Sequence, residues 1–506
     1  MKKIKHMKKC LILALLAVLT MPILAQKKPN IVYIFADDLG YGDVQANYPE
    51  GKIPTPNIDQ LAKEGIRFTD AHSGAAVCSP SRYGLLTGRQ FARETWDEKI
   101  GSNNNKCMIE PQQITIAEYL KEKGYNTACI GKWHLGQTWY SAPGEKHPLS
   151  NKTDYTVPVS DGPNDQGFDY FFGLHGASTS APYTYMRNRK VTVIPTEKGR
   201  KGKPAAPGWD FSTILGTVTA DALSYIDKQA ATKDEPFFLY FALTSIHTPI
   251  FPAKEWQGKS LVGWYGDFVM ETDWVVGEVL KKLKEHGMDE NTLVIFSSDN
   301  GSHGRANAAH MNPHGVGSAK THYGHNMNAE WRGVKGDMYE GGHRIPMIVK
   351  WPGITVPGTV NHELTQVEDF YATVANYFND ELPKGCAEDS YSILPYLKNE
   401  KVKKPIREYA VLNTFFGYDI IRSGDWVYAP FIGCGGPYGK STAKNKKNKK
   451  AEMDATLNSG KGQLYNLKDD PKQEVNLWDE KPEIVKELAK KLEQHLKQGH
   501  SFGIDR

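Results

Sequence analysis

The 506 residues, 40% of them hydrophobic and 24% charged, have the composition of an ordinary folded protein and enough chain for a large core. The formal charge of +4 belongs to the amino terminus, because removing Lys2, Lys3, Lys5, Lys8 and Lys9 leaves −1. That balance argues against a nucleic-acid partner, and no later apolar run is long enough for stable membrane insertion.

The chain opens with a basic stretch, MKKIKHMKK, then the apolar CLILALLAVLTMPIL and Ile23-Leu24-Ala25 before Gln26. This is the pattern of a signal peptide, residues 1–25, cleaved near Ala25 and implying export. A membrane anchor is the competing reading, but the apolar run falls short of the ~20 residues a bilayer span needs. Five cysteines remain beyond it, Cys78, Cys107, Cys129, Cys386 and Cys434. An odd number leaves at least one thiol without an intrachain partner.

NIVYIF (30–35) reads as a buried strand ending in Asp37 and Asp38. TPNIDQLAKEG reads as a helix capped near Asn57 and stopped at Gly65. VCSPSR holds Cys78 in a polar turn, and SRYGLLTG continues as a helical turn. ITIAEYLKEKG and YNTACIG follow as helix and strand, with Lys132 and His134 just beyond in GKWHLG. PFFLYFAL is a strand that runs into His247 of TSIHTP. WVVGEVLKKLKEHG is a helix, and NTLVIFSS is a strand ending in Asp299 and Asn300. RIPMIVKWPG adds a strand and VEDFYATVANYF a helix. From about residue 390, REYAVLNTF, YDIIRSGDWVYAP and QLYNLKDD read as strands and PEIVKELAKKLEQHLKQG as a terminal helix. The Lys/Asn-rich segment 440–461 reads as a loop or as disordered, and its lysines as a solvated run or a contact for an anionic glycan.

The alternation predicts an α/β fold, a large mostly parallel sheet sandwiched by helices over residues 27–390. Residues 391–506 would form a smaller α+β subdomain on an antiparallel sheet. In such sheets ligands bind beyond the carboxyl ends of the strands. Asp37, Asp38, Asp299 and Asn300 would therefore gather as hard oxygen donors suited to Ca²⁺ or Mg²⁺. Asp at a strand end also serves turns and caps, so either pair alone decides nothing. Lys132 and Lys335 could hold an anion beside such a cation, and His134 and His247 could move protons. For Cys78 a reactive thiolate remains open, with Arg82 one turn on and a histidine as its base.

Cys78-Ser79-Pro80-Ser81-Arg82, followed by Leu86-Thr87-Gly88-Arg89, matches the pattern C-x-P-S-R with a trailing T-G-R. With NIVYIFADDLGYGD, GKWHLG, HTP, SSDNG and EGGHRIP, the mature chain resembles the type I, formylglycine-dependent sulfatases of the alkaline phosphatase superfamily. The resemblance implies a sulfuric ester hydrolase whose Cys78 is converted to Cα-formylglycine by a maturation enzyme. It implies one Ca²⁺ held by Asp37, Asp38, Asp299, Asn300 and residue 78. It gives Arg82 the stabilisation of the aldehyde hydrate and Lys132 and Lys335 the sulfate. His134 would take a proton from the hydrate, and His247 would protonate the leaving sugar oxygen. An exported enzyme of this kind would be periplasmic and act on a sulfated carbohydrate. The RGVKGDMYEGGHRIP block loosely resembles carbohydrate sulfatases acting on the 6-O-sulfate of galactose or N-acetylgalactosamine. Asp337 and His343 would then bind sugar hydroxyls, or else only order the loop around Lys335. His175 and the His/Gly-rich stretch 302–326, read as a loop, would also shape the pocket. Two alternatives stand beside this reading. One is a phosphomonoester or phosphonate hydrolase of the same superfamily, and the other a glycan-binding protein with unmodified Cys78.

Overall fold

The computed structural model describes residues 27–93, 107–142, 145–147, 149, 152–232, 235–304, 316–382, 385–437, 446–457 and 459–499. The expected signal peptide lies outside them, as does the middle of the 302–326 stretch.

Strand β1 (Asn30–Ala36) is buried along its whole length, and its side chains alternate between two cores. Ile31, Tyr33 and Phe35 face one. Val32, Ile34 and Ala36 face the other. A period of two on a strand with apolar residues at every position means helices on both sheet faces. The helices of the second core are α1 (Pro56–Glu64), α4 (Ile214–Ala231) and α5 (Gly263–Glu285). Those of the first are α2 (Cys78–Thr87), α3 (Ile116–Glu122) and α6 (Asp369–Tyr377).

The remaining strands of the large sheet are β2 (Ile66–Phe68), β3 (Asn126–Lys132), β4 (Tyr170–Leu174), β5 (Met186–Arg187), β6 (Lys190–Val191), β7 (Phe237–Ala242), β8 (Thr292–Ser298), β9 (Met347–Lys350) and β10 (Thr359–Asn361). Their order in space is β10-β2-β9-β8-β1-β7-β3-β4-β5-β6. The central strands β8, β1, β7, β3 and β4 run parallel. Strand β9 was expected as one more of the series and runs antiparallel to β8.

Three expectations are corrected. Helix α1 starts at Pro56, with Thr55 before it, so Asn57 is inside the helix. The cap comes from α5 instead: the Asp273 carboxylate accepts from the Asn57 and Ile58 amides at 3.0 and 2.8 Å. Part of the 440–461 segment is a helix, α7 (Lys446–Leu457), anchored by buried Met453. The 302–326 stretch contains a short helix, Val316–Thr321.

A second, four-stranded antiparallel sheet comprises β11 (Tyr409–Asn413), β12 (Asp419–Ser423), β13 (Trp426–Ala429) and β14 (Gln463–Asn466). Its alternation again serves two sides. Val411, Ile421, Tyr428 and Leu464 pack under helix α8 (Pro482–Lys497), through Leu488 and Leu492. Ala410, Leu412, Ile420 and Val427 pack with Met338 and Tyr339, three and four residues past Lys335. This sheet therefore backs the loop that brings Lys335 to the large sheet.

Candidate active site

Four adjacent parallel strands end at one edge, and each delivers polar side chains there. Ala36 of β1 pairs in register with Ser298 of β8, so Asp37-Asp38 and Asp299-Asn300 emerge side by side. Strand β7 leads into His247, and β3 ends at Lys132. Asp38 has φ 64° and His134 φ 59°, left-handed conformations that a non-glycine residue adopts at a cost and that the surrounding bonds sustain.

Asn300 Nδ2 donates to Asp38 Oδ1 at 2.8 Å, and the Asp38 amide donates to Asp299 Oδ1 at 3.1 Å. Lys132 Nζ donates to Asp37 Oδ2 at 2.8 Å. Arg82 grips Asp299 Oδ2 through Nε at 3.0 Å and Nη2 at 2.7 Å, with Phe35 beneath its guanidinium. Lys335 Nζ bridges Asp38 Oδ1 and Cys78 Sγ, the latter at 2.9 Å. Asp37, Asp38, Cys78 and His247 each bring one donor atom within 4.8 Å of the others. Asp299 is outside that group and is tied to it by Arg82 and the Asp38 amide.

Cys78 is the first residue of α2, and every residue of that helix is buried. Its approach is fixed by backbone bonds: the Ala76 amide donates to the Asn413 carbonyl at 2.8 Å, and the Gly336 amide to the Ala76 carbonyl at 2.7 Å. Ser79 Oγ donates to the His134 carbonyl at 2.7 Å, fastening the thiol's turn to the segment beyond β3.

Burial pushes the Cys78 thiol up to about 12, although Lys132 and Lys335 pull the other way. As a plain cysteine it is therefore a poor nucleophile at neutral pH. Burial opposes charge on Asp38 too, yet Lys335 and His247 hold it down to about 2. Asp37 is likewise held below the usual carboxylate range: burial opposes its charge, and Lys132, His247 and Arg82 together overcome it. His134 is driven well below the ordinary imidazole range by burial and then by Lys132. His247 is lowered by burial, against which Asp37 and Asp38 act. His247 Nδ1 lies 2.6 Å from the Thr248 carbonyl, which can only accept, so Nδ1 carries a proton. Nε2 is left facing Asp38 Oδ2 at 3.9 Å.

A hard cation fits this donor set. Asp37 Oδ1, Asp38 Oδ2 and Asn300 Oδ1 are buried oxygens without a hydrogen-bond partner. Three buried acceptors left unsatisfied together would be costly in a site built for protein contacts alone. Oxygen donors of this kind suit Ca²⁺ or Mg²⁺.

The remaining expected residues separate. Asp337 is buried two residues from Lys335, accepts from the Val334 amide at 3.1 Å, and is pushed up to about 7 by burial. His343 does not have a free atom for a sugar. Its Nε2 lies 3.2 Å from the Met338 carbonyl and therefore donates, and its Nδ1 lies 3.0 Å from His72 Nδ1. His72 Nε2 lies 2.8 Å from Asp70 Oδ1, a carboxylate oxygen that can only accept, and 2.9 Å from Arg422 Nη1. His72, Glu340 and His343 approach closely enough to suggest a metal, but Arg344 and Arg422 already supply the cations there. His343 therefore ties His72 to the Met338 carbonyl, three residues past Lys335. His175 is buried and lowered to about 4 by that burial, and its carbonyl accepts the His134 amide at 3.1 Å.

One contributor escaped the sequence reading. Tyr240, the polar residue within FFLYFA, places its hydroxyl 3.4 Å from Arg82 Nη1. His303, read only as part of the 302–326 stretch, is among the charges that lower Asp38.

Comparison with known proteins gives a consistent result. The sulfatase family model matches residues 29–380. The chain is 32% identical to an N-acetylgalactosamine-6-O-sulfatase of Bacteroides thetaiotaomicron, over 92% of this chain and 93% of that one. It is 32% identical to the N-acetylgalactosamine-6-sulfatase of Mus musculus, over 76% and 69%. A structure solved in work on the metabolism of multiple glycosaminoglycans by Bacteroides thetaiotaomicron superposes with TM-score 0.77 at 29% identity, covering 94% of this chain and 100% of that one. A sulfatase structure from Pseudoalteromonas sp. superposes with TM-score 0.70 at 25% identity, over 94% and 91%.

Proposed function

This chain belongs to the sulfatase family and is a sulfuric ester hydrolase, and from that premise we propose that it acts on sulfated sugars and removes the 6-O-sulfate of galactose or N-acetylgalactosamine, using a formylglycine made from Cys78. The observation that carries the mechanism is the placement of two lysines. Lys335 Nζ lies 2.9 Å from Cys78 Sγ and Lys132 Nζ 2.8 Å from Asp37, so two buried ammonium groups flank the point of attack. Such groups serve a tetrahedral dianion or monoanion and gain force from burial. The 6-O position is supported by the N-acetylgalactosamine-6-sulfatases among the relatives.

Asp37, Asp38 and Asn300 would hold Ca²⁺ through the oxygens that lack partners, with Asp299 and residue 78 completing the set. When bound, the cation would polarise sulfate oxygens, and formylglycine, as its hydrate, would supply an oxygen nucleophile in place of the thiol. Arg82, fixed by Asp299, orients the hydroxyls of residue 78. Lys132 and Lys335 bind sulfate oxygens and the charge that grows on them. His247 would deliver a proton from Nε2 to the sugar oxygen; burial disfavours the imidazolium that this needs, and Asp37 and Asp38 offset part of that cost. His134 receives the proton from residue 78. The maturation enzyme that oxidises Cys78, and export to the periplasm by the leader at 1–25, belong to the same proposal.

The test is the mass of the peptide spanning Cys78, from protein made in its own host, together with sulfate release from N-acetylgalactosamine 6-sulfate. Aldehyde or hydrate at position 78 with release of sulfate is expected. An intact thiol in protein that still turns over substrate would overturn the nucleophile, and release from the 4-sulfate alone would overturn the position.

A further inference from the structure

The lysine-rich segment is not absorbed by the chemistry above, and its placement gives it a role. Helix α7 is held down by Met453, which packs with Tyr418, Phe431 and Cys434 in the cluster that also contains Met338. Its lysines reach toward the Lys335 loop. Lys449 Nζ donates to the Pro437 carbonyl at 3.0 Å, and Lys446 Nζ lies 4.9 Å from the centre of the Phe415 ring. Phe415 and Pro437 are the residues that wall Gly336, the neighbour of Lys335: a Cβ there would meet Phe415 Cβ at 3.0 Å and Pro437 Cδ at 3.5 Å. Lys449 is close enough to Asp337 to act on its ionisation. The basic helix therefore stands one layer of side chains from the active-site lysine.

Its charges are crowded. Lys446, Lys447, Lys449 and Lys450 fall within five residues, at spacings of three and four that put like charges beside one another on a helix. Lys450 is paired with Asp454 at 2.9 Å, Lys449 is turned to the Pro437 carbonyl, Lys446 lies over the Phe415 ring, and Lys446 and Lys447 are both exposed. Beyond the leader the chain carries a formal charge of −1, so a polyanion gains nothing from net charge and depends on local cations.

Building on the reading of a sulfated glycan as substrate, we propose that Lys446 and Lys447 form a subsite for a second anionic group, a sulfate or carboxylate on a sugar beyond the one that loses its sulfate. The enzyme would then favour polyanionic oligosaccharides over single sulfated sugars.

The test compares Lys446→Glu/Lys447→Glu with the wild type on two substrates: N-acetylgalactosamine 6-sulfate and a chondroitin 6-sulfate hexasaccharide, whose alternate sugars carry carboxylates. KM for the hexasaccharide should rise about tenfold at low salt, and the gap should close near 0.5 M salt, as expected for screened surface pairs. The monosaccharide should be unaffected. Lys446→Gln/Lys447→Gln should shift KM in the same direction by less. An unchanged hexasaccharide KM, or equal losses on both substrates, would overturn the subsite. If the wild type desulfates neither sugar, it is the 6-O-sulfate reading that fails. Binding of dextran sulfate then decides the subsite: weaker binding by the double variant sustains it, and equal binding removes it.

Discussion

Lys335 and His247 meet the same carboxylate from different sides, Lys335 at Asp38 Oδ1 and His247 Nε2 3.9 Å from Oδ2. That arrangement separates the two side chains, since the lysine also touches Cys78, and it leaves His247 Nε2 available for the acid role proposed above. A sugar alkoxide is a poor leaving group and needs its proton, while a nitrophenolate does not. His247→Ala should therefore slow sugar sulfates by about 10²–10⁴-fold and 4-nitrophenyl sulfate by much less. Parallel kcat measurements on both substrates check this, and equal losses would remove the acid role. The sequence made His247 and the two acidic pairs legible because all follow β-branched or aromatic runs that could only be buried strands. Lys335 offered no such cue. It arrives on a loop 35 residues after Asn300, where no strand end marks it, and the residues alone made it no more than a candidate for holding an anion.

Helix α2 holds Cys78 only as firmly as it is seated, and its seat includes a buried acid. Glu368, just before α6, places Oε1 where a Cβ on Gly84 would come within 2.3 Å and one on Gly74 within 1.8 Å. Alanine at 84 would gain up to about 1 kcal/mol of helix propensity, but a clash of that depth with a fully buried side chain costs about 1–3 kcal/mol. Gly84→Ala should thus lower the Tm, and adding Glu368→Ala should recover part of the loss. A Tm at or above the wild type in the single variant would refute the contact. Burial also pushes Glu368 up to about 8. The native state then holds a proton that the unfolded chain releases near the ordinary glutamate value of 4.5. The resulting stability is fully present below that value and is lost as pH rises through about 8. Glu368→Gln should flatten this part of the stability profile between pH 5 and 8, measured by denaturant unfolding, and an unchanged slope would contradict it. At this scale the sequence reading failed where periodicity was diluted. Helix α4 went unread because Gly216, Thr217 and Thr219 interrupt the buried face of Leu215, Val218, Ala222 and Ile226. Helix α7 went unread because Met453 is its one buried residue.

Across the whole molecule, the small sheet acts on the pocket through charge as well as packing. Arg422 on β12 reaches Asp70, near the end of β2, and lies 3.8 Å from Glu340 in the segment after Lys335. Arg344 pairs with the same two acids, at 2.7 and 2.8 Å. Two carboxylates and two guanidiniums balance, and the rings of His72 and His343 link Asp70 to the Met338 carbonyl. Replacing Arg422 by Met would leave a buried carboxylate short of its cation, a loss of about 3–5 kcal/mol. The uncompensated charge would sit beside the Lys335 loop, so kcat/KM should fall as well. Leu492→Ala provides the contrast. It opens a cavity of comparable cost, about 2–5 kcal/mol, on the opposite face of the same sheet, under α8. If Arg422 positions the loop, Arg422→Met loses turnover at temperatures where both variants remain folded, and Leu492→Ala keeps it. If both retain wild-type kcat/KM per folded molecule, the sheet is a brace for stability and the buried ionic cluster has no hold on the chemistry.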